Sequence, residues 1–353
     1  RRESWVPDQR AWYEACRAMG FADSPDHNDP DSTGVGPFPF NNVDGVRWST
    51  AIAYLNPARD RPNLTIKPDS LAHRVLFDGR RASGVQAHSG HEPFTVMADE
   101  VILAAGAIGS PHLLLLSGVG PTAHLAAMGI PKVQRLPGVG ENLRDHPQIP
   151  LVFKTRPSFE LGGAASTLQL ALRYTATGSS LRNDMLIHPI SNATRGVGMA
   201  ACIYLAEAAG RLRLRSPDPR VQPFLDYNFL DTDFDRARMR ESVRICLELA
   251  EQEGLKEIIE SCLDPAESDL ASDDALDDWM LRNVRTSHHI SGTCKMGPES
   301  DPMAVVDQFG RVHGLAGLRV ADASIMPDCI RANTNVTAMV IGERIADFVK
   351  QGE

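Results

Sequence analysis

Apolar positions recur along this chain with two different periods, and the switches between them mark out its elements. Over residues 7–21, Trp12, Ala15, Cys16 and Met19 share one face of a helix that Gly20 stops. The Asp-, Asn-, Gly- and Pro-rich stretch that follows, to about Arg47, reads as loop. Residues 50–55 predict a second short helix that ends before Pro57. Period-two alternation then takes over. Residues 63–66, 72–77 and 83–87 predict strands, the last two joined by a turn at Asp78-Gly79, and 94–96 predicts a further brief one. Residues 99–106 predict a buried strand running into a glycine turn. Ser110 is placed to cap the next helix, with Pro111 at its first position and 113–116 as its continuation. A strand–turn–helix unit of this kind puts a cofactor at the carboxyl end of a sheet strand. Residues 150–230 alternate like an antiparallel sheet. Residues 233–260 (Phe234, Met239, Val243, Leu247, Ala250) predict a long helix, and 273–284 another. Residues 336–349 predict a final helix, with Val340, Ile341, Ile345, Phe348 and Val349 near one stripe. No internal repeat is present.

Composition narrows the function classes. The length of 353 residues suits roughly two domains. A net charge of −9 without a basic cluster argues against nucleic-acid binding, and Arg211-Leu212-Arg213-Leu214-Arg215 alternates like a strand. The six cysteines form no C-x-x-C pair and no zinc-like spacing, so the chain is expected to be cytoplasmic, with reduced thiols and no metal. No apolar run approaches the roughly 20 residues that cross a bilayer. The opening Arg1-Arg2-Glu3-Ser4-Trp5 has neither an initiator Met nor a signal pattern, and reads as a chain entered partway through a larger protein.

Gly118-Val119-Gly120-Pro121-Thr122-Ala123 formally fits the dinucleotide pattern G-x-G-x-x-A. It is read as a decoy, because it follows helical residues rather than a strand and Pro121 lacks an N–H for a phosphate cradle. No G-x-G-x-x-G occurs, so the chain carries no pyrophosphate fingerprint of its own. More specific is Gly106-Ala107-x-x-Ser110-Pro111-x-x-Leu114-x-x-Ser117-Gly118-Val119-Gly120. Position for position it resembles the second signature of the glucose–methanol–choline (GMC) oxidoreductases. Similar agreement is found at Gly45-x-Arg47-x-Ser49 with Ala53-Tyr54-Leu55, at Arg61–Ile66 as 61–66, and at Gly138-Val139-Gly140-Glu141-Asn142-Leu143-x-Asp145-His146. It extends to His289-Ile290-Ser291-Gly292-Thr293-Cys294-Lys295-Met296-Gly297, Val320–Pro327 as 320–327, and Asn333-Thr334-Asn335. The resemblance covers nearly the whole chain and is weakest over 151–270.

The resemblance implies an α/β (α+β overall) fold. A partial Rossmann-like FAD-binding domain (62–149 and 298–353) would join a substrate domain with an antiparallel sheet and flanking helices (1–61 and 150–297). It implies His289 as general base and Asn335 as its hydrogen-bonding partner. His288 is the rival imidazole; spacing to Gly292-Thr293 favours His289, and His288 is expected to line the pocket. Asn335 alone reads as a helix cap. Asp145-His146 could suggest a charge-paired base, although a structural role is the favoured reading. FAD would meet Ala72 (where the family usually has Val), Ala105, Gly106, Asp322, Ala323, Asn333 and Val336. The family's N-terminal portion, with its G-x-G-x-x-G turn, is expected to be absent from this chain and supplied by another part of the same enzyme or by a separate chain. Without it the chain is expected neither to fold nor to bind flavin alone. The implied reaction oxidises a small primary alcohol to an aldehyde by hydride transfer to flavin N5, with O2 or another electron acceptor. The alternatives are a hydroxynitrile lyase of the same family and a non-catalytic flavin-binding subunit.

Overall fold

The computed structural model describes residues 5–90, 92–159, 168–192 and 196–353. Arg1 to Ser4, and residues 160–167 and 193–195 of the expected sheet region, lie outside it. Its architecture is mixed α/β, organised around two large apolar clusters.

The first cluster lies against a seven-stranded antiparallel sheet. Gly34–Pro37, Leu170–Tyr174, Met185–Asn192, Gly196–Ile203, Pro147–Thr155 and Ile259–Asp264 pair in that order, and Arg285–Thr286 also pairs with Pro147–Thr155. The period of two decides what each face does. Ile149, Leu151 and Phe153 are each no more than 1% exposed. They share a core with Trp12 and Cys16 of the helix Pro7–Ala18, Met239, Val243 and Leu249 of Asp233–Ala250, and Leu276 and Trp279 of Asp273–Asn283. The opposite face carries Ala171, Leu186, Ala200 and Cys202, with Tyr204 just past the strand end. That second face walls a cavity, described below.

Two of the helices start as their sequences suggest. Thr232 accepts a hydrogen bond from the Asp235 N–H, and Ser272 from the Ala275 N–H, each at 3.1 Å. The helix expected over 233–260 stops at Ala250; a short turn, Glu253–Lys256, leads into the strand Ile259–Asp264. Beyond Ala250 the apolar residues Ile258 and Ile259 still face the core, so a helical count carries on past the real end.

The second cluster joins the antiparallel strands Ser70–Asp78, Arg81–Ser89 and Glu92–Met97 to the helix Gly106–Leu116 and a parallel strand pair. That pair is Val101–Leu103 with Leu318–Val320. Residues 63–66 form no strand; they are exposed between Pro62 and Pro68. The strand expected over 99–106 is only three residues long, and Ile102 is 44% exposed rather than buried. Residues 51–55 form a π-helical turn that runs on without a break through Pro57 in the helical segment Asn56–Ala58, so the expected stop before Pro57 does not occur.

Ser110 and Pro111 do not begin their helix, which starts at Gly106. Pro111 lacks the N–H that would reach the Ala107 carbonyl, and the Thr293 hydroxyl donates to that carbonyl instead, at 2.6 Å. A remote threonine thereby supplies the missing donor. Gly118 and the strand Val119–Gly120 follow this helix directly, so the G-x-G-x-x-A there sits in no strand-to-helix turn. Residues 196–201 meet the same pattern and lie wholly within a sheet strand. The strand Arg211–Arg213 pairs with Phe224–Asp226. Among the described residues no helix is long and apolar enough to cross a membrane, and no group of three or more His, Cys, Asp or Glu side chains could hold a metal.

Candidate active site

Three features make up the candidate site. The first is the pair of strand ends. Leu103 runs into Ala104-Ala105-Gly106, and Val320 into Ala321-Asp322-Ala323, with the Ala321 N–H donating to the Leu103 carbonyl at 2.8 Å. Gly106 has φ +78°, a backbone conformation that glycine adopts without strain. Asp322 is buried and fastens the two ends together. Its carboxylate accepts from the Gly106 N–H at 2.9 Å, the Ser110 hydroxyl, and the Ser324 N–H at 2.8 Å. Ala105 is exposed, Ala323 and Ala72 are half-buried, and the Gly106 N–H is already taken by Asp322.

The second feature is the start of the helix Thr334–Gln351. Its N-cap is Asn333, not Asn335, and no side chain caps it. The Asn333 Oδ1 is turned away to accept from the Tyr204 hydroxyl at 2.9 Å. An uncapped 18-residue helix presents about half a positive charge at its N-terminus. Asn335 lies exposed in that first turn, and Val336 and Val340 are 61% and 58% exposed. The apolar stripe expected along this helix is therefore only partly covered, with Ile345 its buried member.

The third feature is a pair of histidines. His146 is 1% exposed, and its Nδ1 lies 3.0 Å from Nδ1 of His289. Its Nε2 lies 2.9 Å from the Ile330 carbonyl oxygen, and the Tyr204 ring stacks on it at 4.3 Å between centroids and 15° between planes. Burial lowers the His289 pKa to about 4, with the charge of His288 acting in the same direction. Burial lowers His146 to about 3, His289 adds to this, and the Ile330 and Tyr204 carbonyls oppose it. Both rings are thus neutral near pH 7. Asp145 does not pair with either ring. Its Oδ1 accepts the backbone N–H groups of His146 (2.7 Å) and His289 (3.0 Å), and Oδ2 takes the Thr286 hydroxyl. Burial raises the Asp145 pKa, and these hydrogen bonds work against that rise.

The cavity itself has a volume of about 920 Å³. Phe38, Phe40, Arg173, Tyr204, Arg331 and Asn335 are among its walls. Arg173 is half-buried, has no carboxylate partner among the described residues, and has its pKa lowered by burial and by the nearby Arg331. Asn335, Asn333 and Val336 reach the cavity directly. His289 stands behind Tyr204, their ring centroids 6.5 Å apart, and no hydrogen bond joins His289 to Asn335 among the described residues. His288 is exposed at φ +62° and is not part of the cavity wall. Sequence reading missed Tyr204, which bridges Asn333 to His146; for Asp145-His146 the favoured structural reading agrees with Asp145 holding backbone N–H groups, but the contact of His146 with His289 was not foreseen. The signal for the latter was present in that dipeptide; for Tyr204 there was none.

The chain's residues fit the ring portion of a flavin. A helix start left uncapped, exposed Val336 beside it, and bare strand ends at Ala104-Ala105 suit a flat, mostly apolar group with an electron-rich edge. For a pyrophosphate the 353 residues hold no glycine-rich strand-to-helix turn.

Strand ends, an open helix start and an imidazole near a cavity mark a mixed α/β protein whose residues could hold a flat cofactor. The N-terminal GMC oxidoreductase model matches residues 3–148 and the C-terminal one residues 206–342. A GMC-type oxidoreductase of Rhodococcus erythropolis is 35% identical over 96% of this chain and 69% of its own length. An oxygen-dependent choline dehydrogenase of Pectobacterium carotovorum is 36% identical, over 97% and 66%. The crystal structure of pyridoxine 4-oxidase from Mesorbium loti superposes with a TM-score of 0.90 at 28% identity, covering 98% of this chain and 70% of that one. The chain belongs to the GMC oxidoreductase family. It spans about two thirds of the length of these curated relatives.

Proposed function

We propose that these residues form the substrate-oxidising side of an FAD-dependent alcohol oxidoreductase that converts a primary alcohol to an aldehyde. The observation that carries this reading is the neutral His289 held beside a cavity onto which an uncapped helix start and Asn335 open. FAD bound at the positions named below would supply the hydride acceptor, N5, and the route for electrons to O2 or another acceptor. A hydroxyl proton is as reluctant to leave as that of water, so it needs a base in place as the hydride departs. His289 is that base, and the Asn335 amide donates to the substrate oxygen as it gains negative charge. The helix start behind Asn335 favours negative charge in front of it. Ala72, Ala105, Gly106, Asp322, Ala323, Asn333 and Val336 are proposed as the FAD-contacting positions. Residues 62–149 with 298–353 form the FAD-binding domain, and 1–61 with 150–297 the substrate domain. All six cysteines are free, which suits a reducing cytoplasm.

Arg173 and Arg331 favour a neutral or anionic alcohol over the choline of the dehydrogenase relatives. Asp29, the acid on the same wall, is exposed and has its Oδ1 engaged by the Asp31 N–H at 2.8 Å. The test is anaerobic flavin bleaching in the loaded enzyme. His289→Ala is expected to slow it by about 10²–10⁴-fold, the usual contribution of a positioned base. Unchanged bleaching would remove His289 from the role, and no bleaching of the unsubstituted enzyme by any alcohol would favour a lyase or a non-catalytic subunit. A higher kcat/KM for choline than for neutral and carboxylate-bearing alcohols would refute the substrate reading.

A further inference from the structure

His146 touches neither the cavity nor any expected cofactor position, yet it is the group that contacts the ring of His289. The protons of the pair can be placed by elimination. The Ile330 carbonyl can only accept, so the His146 Nε2 facing it at 2.9 Å carries the proton. A neutral imidazole protonated at Nε2 has its lone pair at Nδ1. That Nδ1 faces Nδ1 of His289 at 3.0 Å, so the His289 nitrogen must be the donor. His289 is then protonated at Nδ1, and its own lone pair sits at Nε2.

We infer that His146 is a positioning residue that fixes His289 in the tautomer whose Nε2 is free to take a proton, with the Ile330 carbonyl as the origin of the chain. The rest of the structure holds the pair in register. Asp145 clamps the backbone of both histidines, the Tyr204 ring lies flat on His146, and the Tyr204 hydroxyl is anchored on Asn333. When His289 accepts a proton at Nε2, its Nδ1–H continues to donate to His146, and no second proton has to move. The acceptor is a neutral ring rather than a carboxylate, so it orients His289 without supplying the full negative charge that would raise its pKa strongly.

This inference rests on His289 being the base, and its test separates the two. Nitrogen-15 correlation spectra of the histidine rings in the flavin-loaded enzyme report the tautomer whether or not His289 is catalytic. The expected result is His289 protonated at Nδ1 and bare at Nε2; the opposite tautomer overturns the inference. Two polar variants then test the function. In His146→Asn the amide oxygen can stand where Nδ1 was and keep accepting from His289. In His146→Gln the amide extends toward Ile330 and leaves that acceptor position empty. His146→Gln is expected to slow flavin reduction on the order of tenfold or more with little change in KM, and to give a mixed His289 tautomer; His146→Asn is expected to stay within a few-fold of the unsubstituted rate. Equal rates in the two variants, with the His289 tautomer unchanged in both, would overturn it. If His289→Ala proves harmless while the spectra still show the Nδ1–H form, the catalytic reading fails and the tautomer assignment stands.

Discussion

The proposed role of His289, taking a proton from an alcohol, requires a ring that arrives without one, and burial favours that neutral form. The charged groups around it are few. His288 lies on the solvent side, Asp145 is turned to the backbone, and His146 is itself kept neutral. The base form is lost only as pH falls through the folded pKa of about 4. The kcat/KM of the loaded enzyme is therefore expected to rise through an apparent pKa near about 4 and to be flat above roughly pH 6. An acidic limb centred near the ordinary histidine value of about 6.5 would mean that His289 is solvated in the working enzyme. The spacing to Gly292-Thr293 favoured His289 over the adjacent His288 as the proposed base. It could not show that Asp145, 144 residues away, would grip the His289 backbone rather than a ring.

At the scale of elements, the sheet's two faces divide the work. The face carrying Ile149, Leu151 and Phe153 holds the helices, and the other face forms the cavity wall. Leu151→Ala is expected to cost about 2–5 kcal/mol in denaturant unfolding, because its site is fully enclosed. Lys154→Ala, on an exposed side chain of the same strand, should stay within about 0.5 kcal/mol. The helix Asp233–Ala250 is also tied to the cavity side by charge. Buried Arg238 bridges Asp184 at 2.7 Å and Asp235 at 2.5 Å, while the Asp184 carbonyl accepts the Tyr204 N–H at 2.7 Å. Arg238→Met leaves two buried carboxylates without their cation. A loss of about 3–5 kcal/mol is expected, and a loss under about 1 kcal/mol would show that water replaces the guanidinium.

Across the whole molecule, buried neutral imidazoles set the acid limit. The folded pKa of His289 and of His188 is lowered to about 4 and that of His146 to about 3, all through burial first. In the unfolded chain these rings take protons near pH 6.5, so stability falls as pH drops from about 6.5 toward 4. Asp145 acts in the opposite sense, since its raised pKa lets the folded state bind a proton sooner. Three rings outweigh one carboxyl, so a lower melting temperature is expected at pH 4.5 than at pH 7. An unchanged melting temperature would contradict the burial of these rings. The 353 residues lack a glycine-rich phosphate turn and leave Ile102, Val336 and Val340 exposed. On its own the chain is therefore not expected to retain FAD through gel filtration; a stoichiometric yellow protein would refute this.

Local chemistry was written plainly in the sequence. Period-two alternation pointed to the sheet, apolar spacing to the helices that begin at Asp233 and Asp273, and the motif around His289 to the proposed base. These depend on neighbours a few residues apart, which a linear pattern records. Element ends and shared groups were decided only by the fold. Ser110 and Pro111 lie inside their helix, where Asp322 accepts the Ser110 hydroxyl and Thr293, about 200 residues on, donates to the Ala107 carbonyl that Pro111 leaves open. Asn333 leaves its helix uncapped because Tyr204 claims its oxygen. His146 became the partner of His289 because two distant loops meet beside Ile330. Such hydrogen bonds belong to no local pattern, since each joins groups that come together only when the two cores have formed.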